Sequence, residues 1–262
     1  MAILVAQDIS KTYAQKVRLW GRTRIDVLKK VSFALPSGKT IGIVGESGCG
    51  KSTLAKILCG LLDCDAGEIF FEGEKLTIPY AKHVRAKIQM IFQDPYSSLN
   101  PRMRLGSIVE EPLVIHGVPA RERKARVEKM LRRLGFHALD YKRYPHEFSG
   151  GQRQRIAIAR SLVLTPKVLV CDEPVSALDL LLQAQILQLL VDLQKELHLS
   201  MIVITHDFRV VEKIAHEVIV MKEGEIVEHG PVGAILHAPQ HPYTQNLLLC
   251  VPHLKRKSHD VT

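Results

Sequence analysis

The sequence predicts an α/β fold built on a mainly parallel sheet, with a helical lobe inserted at about residues 94–165. Three observations carry that expectation. Apolar runs such as "KTIGIVG" (39–45), "KVLVCD" (167–172) and "SMIVITHD" (200–207) read as buried strands, and helical apolar patterns alternate with them. Between 94 and 165 helical patterns dominate, broken by loops at "DPYSSLNPR" and "YPHEF". Finally, 262 residues suffice for one large domain or one domain with an inserted lobe, and a hydrophobic content of 46% argues against a disordered chain.

Along the chain, "AILVAQDIS" and "VLKKVSFAL" read as opening strands on either side of a basic stretch around Trp20. "KTIGIVG" is a compact strand ending in glycine, and residues 51–62 carry a helical apolar pattern that starts directly after the next loop. "GEIFFEGEKL" reads as a hairpin and "AKIQMIFQ" (86–93) as another buried strand. Within "RERKARVEKMLRR", Val127, Met130, Leu131 and Leu134 recur at helical spacing, so the basic residues form the wet face of an amphipathic helix. Residues 180–198 form the long helix candidate between the strands at 167–172 and 200–207. "HEVIVMKEGEIVEHG" looks like a hairpin turned at Glu223-Gly224, followed by a helical end.

The stretch "GESGCGKST", 45–53, fills every position of the G-x-x-x-x-G-K-[ST] phosphate loop, with a strand before it and a helix after it. Gly45, Glu46, Ser47, Gly48, Cys49, Gly50, Lys51, Ser52 and Thr53 are therefore expected to cradle phosphates with backbone N–H groups beside the positive end of a helix. Lys51 supplies a cation for the β- and γ-phosphates, Ser52 a hydroxyl for Mg²⁺, and Thr53 a further phosphate contact. "VLVCDEP", 168–174, puts two carboxylates at the C-terminal edge of a buried strand, where open α/β sheets bind ligands. Asp172 is placed to hold Mg²⁺ through water and Glu173 to polarise an attacking water. Cys171 is expected to pack inside the sheet.

A second glycine-rich turn, "FSGGQRQRIAIARSL" (148–162), lies about a hundred residues after the first. With the two preceding motifs, in the same order and spacing over about residues 3–250, it resembles the signature of ATP-binding-cassette (ABC) ATPases. The resemblance implies a single ABC ATPase domain at 1–250, made of a phosphate-loop core, an antiparallel β subdomain and the inserted helical lobe, then a short basic tail at 251–262. In that family two cassettes pack head to tail with ATP between them, so Ser149, Gly150, Gly151 and Gln152 would serve the nucleotide of the partner subunit. The family pattern has leucine where Phe148 stands, a position expected to pack locally.

By the same resemblance Tyr13 stacks on adenine, Gln93 reaches Mg²⁺ or the attacking water, and His206 contacts the γ-phosphate and positions Glu173. Asp179, in "SALD" (176–179), links the two sites across the dimer. The catalytic set is thus Glu173, His206, Lys51 and Gln93, the metal set Ser52, Gln93 and Asp172, and the cofactors ATP and Mg²⁺.

"QMIFQDPYSSLNPR", "SALDLLLQAQIL" and "HPYTQNLL" look like the ATPases of importers for di- and oligopeptides and for nickel. The implied role is energy coupling for di- or oligopeptide import, with nickel import as the alternative. The implied partners are a second ABC ATPase, two transmembrane permease subunits and, indirectly, an extracytoplasmic solute-binding protein. A heterodimer is expected, with a homodimer left open, at the cytoplasmic face of the cell membrane. Many peptide-importer ATPases continue with a cysteine-containing extension linked to an iron–sulfur cluster; Cys250 alone cannot supply four thiolates, so no cluster is expected. His237, His241 and His253 lack acidic or cysteine pairing and do not make a metal site, and Cys59 and Cys64 lack a second pair for zinc.

The formal net charge of +9 suits nucleic acid or an anionic surface as well as plain solubility. DNA-linked cassette ATPases carry long heptad insertions or zinc-type cysteine arrays, which this sequence lacks, so no nucleic-acid partner is expected. No apolar run reaches the ~18–20 residues that span a bilayer. The start "MAILVAQDIS" has no signal-peptide character, and the five cysteines read as reduced cytosolic thiols.

Overall fold

The computed structural model describes residues 1–17, 21–94 and 98–250; Trp20, part of the 94–101 loop, His253 and the basic tail lie outside the described residues. Two sheets organise the chain. Strands β1 (Ala2–Val17), β2 (Gly21–Pro36), β4 (Ala66–Phe71) and β5 (Glu74–Lys75) form an antiparallel sheet in the order β2-β1-β4-β5. The second sheet runs β10-β9-β3-β8-β7-β6, built from β3 (Thr40–Val44), β6 (Ile88–Ile91), β7 (Val168–Asp172), β8 (Ser200–Thr205), β9 (Glu217–Lys222) and β10 (Glu225–Pro231). All its pairs are parallel except β9 with β10, which join through the expected turn at Glu223 and Gly224, both at positive φ.

The central strands are apolar on both faces because both faces are covered. Val168, Val170, Ile202 and Ile204 pack with Leu54, Ile57 and Leu58 of α1 (Lys51–Leu58) and with Leu4, Ile9 and Leu28 of the antiparallel sheet. Leu169, Cys171, Met201 and Val203 point the other way, into a core shared with the helical lobe. That lobe holds α3 (Leu105–Ile115), α4 (Ala120–Arg133) and α5 (Gly150–Leu162), while α2 (Lys82–Lys87) precedes β6. Val127, Met130, Leu131 and Leu134 are all buried, as their spacing requires, each contributing roughly 1.5–3 kcal/mol on burial. Phe148 is buried too, edge-on to Phe136 at 5.8 Å with the Arg143 guanidinium 4.4 Å from its ring centroid. Next to it, α6 (Leu180–Leu197) and α7 (Phe208–Ile214) flank β8, and α8 (Val232–His237) and α9 (Pro242–Leu249) close the chain's described part.

Three parts of the chain depart from the sequence reading. Strands β1 and β2 extend past "AILVAQDIS" and "VLKKVSFAL", pairing from Lys11 with Leu28 out to Val17 with Gly21. Helix α1 stops at Leu58 instead of running to 62, because Gly60 takes φ 67° and the Tyr80 hydroxyl donates to the carbonyls of Ile57 and Leu58 at 3.2 and 3.4 Å. The Ile57 carbonyl also accepts from the Gly60 N–H at 3.0 Å, and the hydroxyl stands in for the N–H that a further turn would have donated to Leu58. The run read as one strand over 86–93 begins instead at the end of α2, and only Ile88–Ile91 pair with β7. Helix α7, seven residues capped by the Asp207 carboxylate on the Arg209 N–H at 2.9 Å, gave no clear periodic signal.

Candidate functional site

The site lies where β3, β8 and β7 end side by side. Val44 is in register with Thr205, and Asp172 with Ile204, so the phosphate loop, His206 and Glu173 leave the sheet at one level. Three consecutive parallel strands thereby converge loops that are far apart in sequence, at the carboxyl edge where such sheets bind ligands.

The loop's backbone path is set by close approaches. A Cβ on Gly45 would sit 2.2 Å from the Met221 carbonyl oxygen, and one on Gly50 2.5 Å from that of Val27. Gly50 also takes φ 108°, starting α1 without a side-chain cap and leaving the first-turn N–H groups directed at the cleft. Around this turn Val27, Ser47, Gly48, Gly50, Lys51, Ser52, Thr53, Gln93 and Glu173 line a cleft of about 250 Å³. Cys49 is buried beneath it, and its carbonyl accepts from the Gly224 N–H at 3.1 Å. Lys51 is buried to 7% exposure; its ammonium donates to the carbonyls of Gly45 at 2.7 Å and Glu46 at 2.8 Å. The cation is held at the cleft by the loop's own backbone, so little side-chain entropy is left to lose when it grips an anion.

Two pairs flank the lysine. The Ser52 hydroxyl donates to Asp172 Oδ1 at 3.1 Å. Burial pushes the Asp172 carboxyl above the usual carboxylate range; the Ser52 bond opposes the rise and the neighbouring Glu173 charge adds to it. A carboxylate and a hydroxyl side by side, with the Gln93 amide lining the same cleft, are hard oxygen donors of the kind Mg²⁺ takes, and they fit that ion. The second pair is Glu173 and His206, with Oε1 2.8 Å from Nδ1. Glu173 occupies left-handed backbone at φ 49°, an uncommon state for this residue type, stabilised by its N–H donating to the Ile204 carbonyl at 2.9 Å. Its side chain is 12% exposed and that of His206 61%, so the carboxylate is sheltered while the imidazole reaches out.

The other sequence-derived residues stand apart. Ser149 caps α5: its hydroxyl accepts from the Gln152 N–H at 3.3 Å, and the Gln152 side chain accepts from the Ser149 N–H at 2.9 Å. Gly150 and Gly151 open that helix, and none of the four lines the cleft of the phosphate loop. Asp179 caps α6 through the N–H groups of Leu181 and Leu182 at 3.1 and 3.0 Å. Tyr13 sits on β1 opposite Ile25, 42% exposed and outside the cleft lining. Sequence reasoning missed two neighbours: Val27, which touches Gly50 and the cleft, and Tyr243, whose hydroxyl accepts from the Glu46 N–H at 3.2 Å. No local pattern marks either contact; the "HPYT" stretch was the one available signal for Tyr243.

Among the described residues no helix is long and apolar enough to cross a membrane. Comparison with known proteins gives one family. A profile of the ABC transporter family matches residues 28–176, and one described as the oligopeptide/dipeptide transporter C-terminal region matches 227–262. The dipeptide transport ATP-binding proteins DppF of Haemophilus influenzae and of Escherichia coli K12 are each 49% identical over 257 residues, spanning 96% of this chain and 79% and 77% of theirs. The glutathione import ATP-binding protein GsiA of Pectobacterium atrosepticum is 48% identical over 87% of this chain, which covers 37% of that longer protein. Among solved structures, the ATP-binding cassette MJ0796, a dimer bound to ADP and Pi, superposes with a TM-score of 0.75 at 30% identity, covering 87% of this chain and 98% of its own. The cassette cbiO1 of Clostridium perfringens, part of the ABC transporter complex cbiONQ, gives 0.77 at 32% identity, covering 89% and 90%. The chain belongs to the ABC transporter family and is an ATPase of its oligopeptide/dipeptide branch.

Proposed function

We propose that this chain is the energy-coupling subunit of a membrane importer for di- or oligopeptides, hydrolysing ATP in a site completed by a second cassette. The observation that carries the reading is the common level of Lys51, the Ser52–Asp172 pair and the Glu173–His206 pair at the edge of one sheet. Relatives named for dipeptide transport and glutathione import both handle short peptides, which supports that substrate class. The separate, self-capped turn at Ser149–Gln152 supports the shared site, since its helix end has nothing to bind within its own subunit's cleft.

In this reading the ATPase domain occupies residues 1–250. The loop residues Gly45–Thr53 hold the triphosphate, and Lys51, steadied by its two carbonyls, presents its ammonium to the β- and γ-phosphates. Ser52, Asp172 and Gln93 would hold Mg²⁺, which when bound neutralises β/γ oxygens. Glu173 orients and polarises the attacking water, and His206 holds the Glu173 carboxylate while reaching toward the γ-phosphate. Tyr13 stacks on adenine. Ser149, Gly150, Gly151 and Gln152 grip the γ-phosphate of the facing subunit, and Asp179 lies between the two sites. ATP therefore closes the dimer, and hydrolysis removes the shared ligand that held it. The partners are a second, different cassette, two permease subunits and through them a solute-binding protein, at the cytoplasmic face of the cell membrane.

The test is a pull-down of tagged Glu173→Gln protein with ATP from gently solubilised native membranes. Two multi-span proteins and a second cassette ATPase are the expected companions. Nucleic-acid enzymes or ribosomes in their place would overturn the transport assignment while leaving the ATPase intact.

A further inference from the structure

The Gly45–Glu46 peptide unit is held at both edges. Its carbonyl, on Gly45, accepts from the Lys51 ammonium at 2.7 Å, and its N–H, on Glu46, donates to the Tyr243 hydroxyl at 3.2 Å. A peptide is one rigid plate, so a rotation that frees one edge frees the other. Behind the plate the Tyr243 ring is 9% exposed and packs in a cluster with Val44, Val218 and Val220, the residues that lead into the loop and line β9.

Tyr243 is itself firmly placed. It opens α9, where the His241 imidazole accepts from the Tyr243 N–H at 3.1 Å and Pro242 occupies the first helical position. The Glu228 carboxylate of β10 accepts from the N–H groups of Gln240 and His241 at 2.7 and 3.2 Å, tying that helix start to the sheet. The Lys222 ammonium lies 5.1 Å from the ring centroid. Burial pushes the phenol upward in pKa, so the hydroxyl keeps its proton throughout the neutral range.

We propose that Tyr243 is a positioning residue for nucleotide binding: its hydroxyl fixes the rotation of the Gly45–Glu46 peptide and thereby holds Lys51 in the cleft. The "HPYT" stretch then acts as a brace reaching across 197 residues of sequence to the root of the phosphate loop. This inference rests on the reading of Lys51 as the cation that grips the phosphates.

The experiment measures ATP affinity of the full chain by titration calorimetry in four forms: unmodified, Tyr243→Phe, Lys51→Ala and the double variant. Phenylalanine keeps the ring and deletes only the acceptor, so binding is expected to weaken about three- to tenfold, the worth of one hydrogen bond to a part-buried N–H. In the Lys51→Ala background the same change is expected to have less than a twofold effect, because the plate no longer holds a lysine. Unchanged affinity in Tyr243→Phe, or an equal loss in both backgrounds, overturns the proposal. Full binding by Lys51→Ala would sink the Lys51 reading and this inference with it, whereas weak binding there with full binding by Tyr243→Phe sinks the inference alone. Amide exchange supplies a second reading that needs no variant to fold. Protection of the Glu46 amide is expected in the unmodified protein, and free exchange there would overturn the hydrogen bond on which the proposal stands.

Discussion

At residues 45–53 the glycine-rich backbone is gripped from three sides, by Val27 of β2, Met221 and Gly224 of the β9–β10 hairpin, and Tyr243 of α9. At 149–152 a turn of similar composition is held by its own Ser149 and Gln152 side chains, with Leu182 beside Gly151. The first turn is completed by its own chain and carries its cation with it. The second is finished only as a helix end. The difference teaches that the same element, glycine before a helix, makes an enclosed cleft when the fold surrounds it and a self-capped helix end when the fold does not.

Substitutions can break this contrast, beginning with the largest effect. Glu173→Gln keeps size and removes the charge proposed to polarise water; ATP turnover is expected to fall at least ~10²-fold, with an ATP-loaded dimer accumulating on size-exclusion chromatography. Rapid turnover by that variant would remove Glu173 from the mechanism. Gly45→Ala forces a Cβ against the Met221 carbonyl, so ATP binding by the monomer is expected to drop more than ~10-fold, together with a lowered melting temperature.

Ser149→Ala is the counterpart on the other turn. Monomer affinity for ATP is expected to stay within twofold, while turnover at saturating ATP falls about tenfold and the lost cap costs about 1 kcal/mol in stability. Equal damage to monomer binding would erase the distinction between the two turns. The smallest effect concerns Asp172, whose folded-state pKa is raised. A raised carboxyl pKa contributes stability below the unfolded value that is lost as pH rises through the folded value, so the ionised group costs stability at neutral pH. Asp172→Asn is therefore expected to raise the melting temperature of the nucleotide-free protein by about 2–4 °C at pH 7 and to flatten its decline with pH. Loss of stability in Asp172→Asn would contradict the cause assigned to the shift.

The parts legible in the sequence were those whose chemistry is contiguous. "GESGCGKST", "VLVCDEP" and "FSGGQ" each write a complete local geometry into a few residues, and the alternating strands between them imply the sheet that unites them. Helix α2 escaped because six residues without a side-chain cap leave no periodic trace. The early stop of α1 depends on Tyr80, twenty-odd residues away, and the brace on Glu46 depends on Tyr243; neither partner is readable from the segment it acts on. Side chains that stabilise a loop from a distance are selected by shape across the fold, and no local spacing encodes that.

Asp179 gives the capped end of α6 a further consequence. The Leu181 and Leu182 N–H groups both go to one oxygen of that carboxylate, Oδ1, so Oδ2 keeps its lone pairs for a donor brought by a second subunit and the cap need not be given up. The start of this eighteen-residue helix would then be a two-sided clasp, one oxygen holding its own chain and the other its neighbour's. The two amide signals give solution NMR a built-in check, since they should keep their protection when subunits associate, with no label attached to the protein.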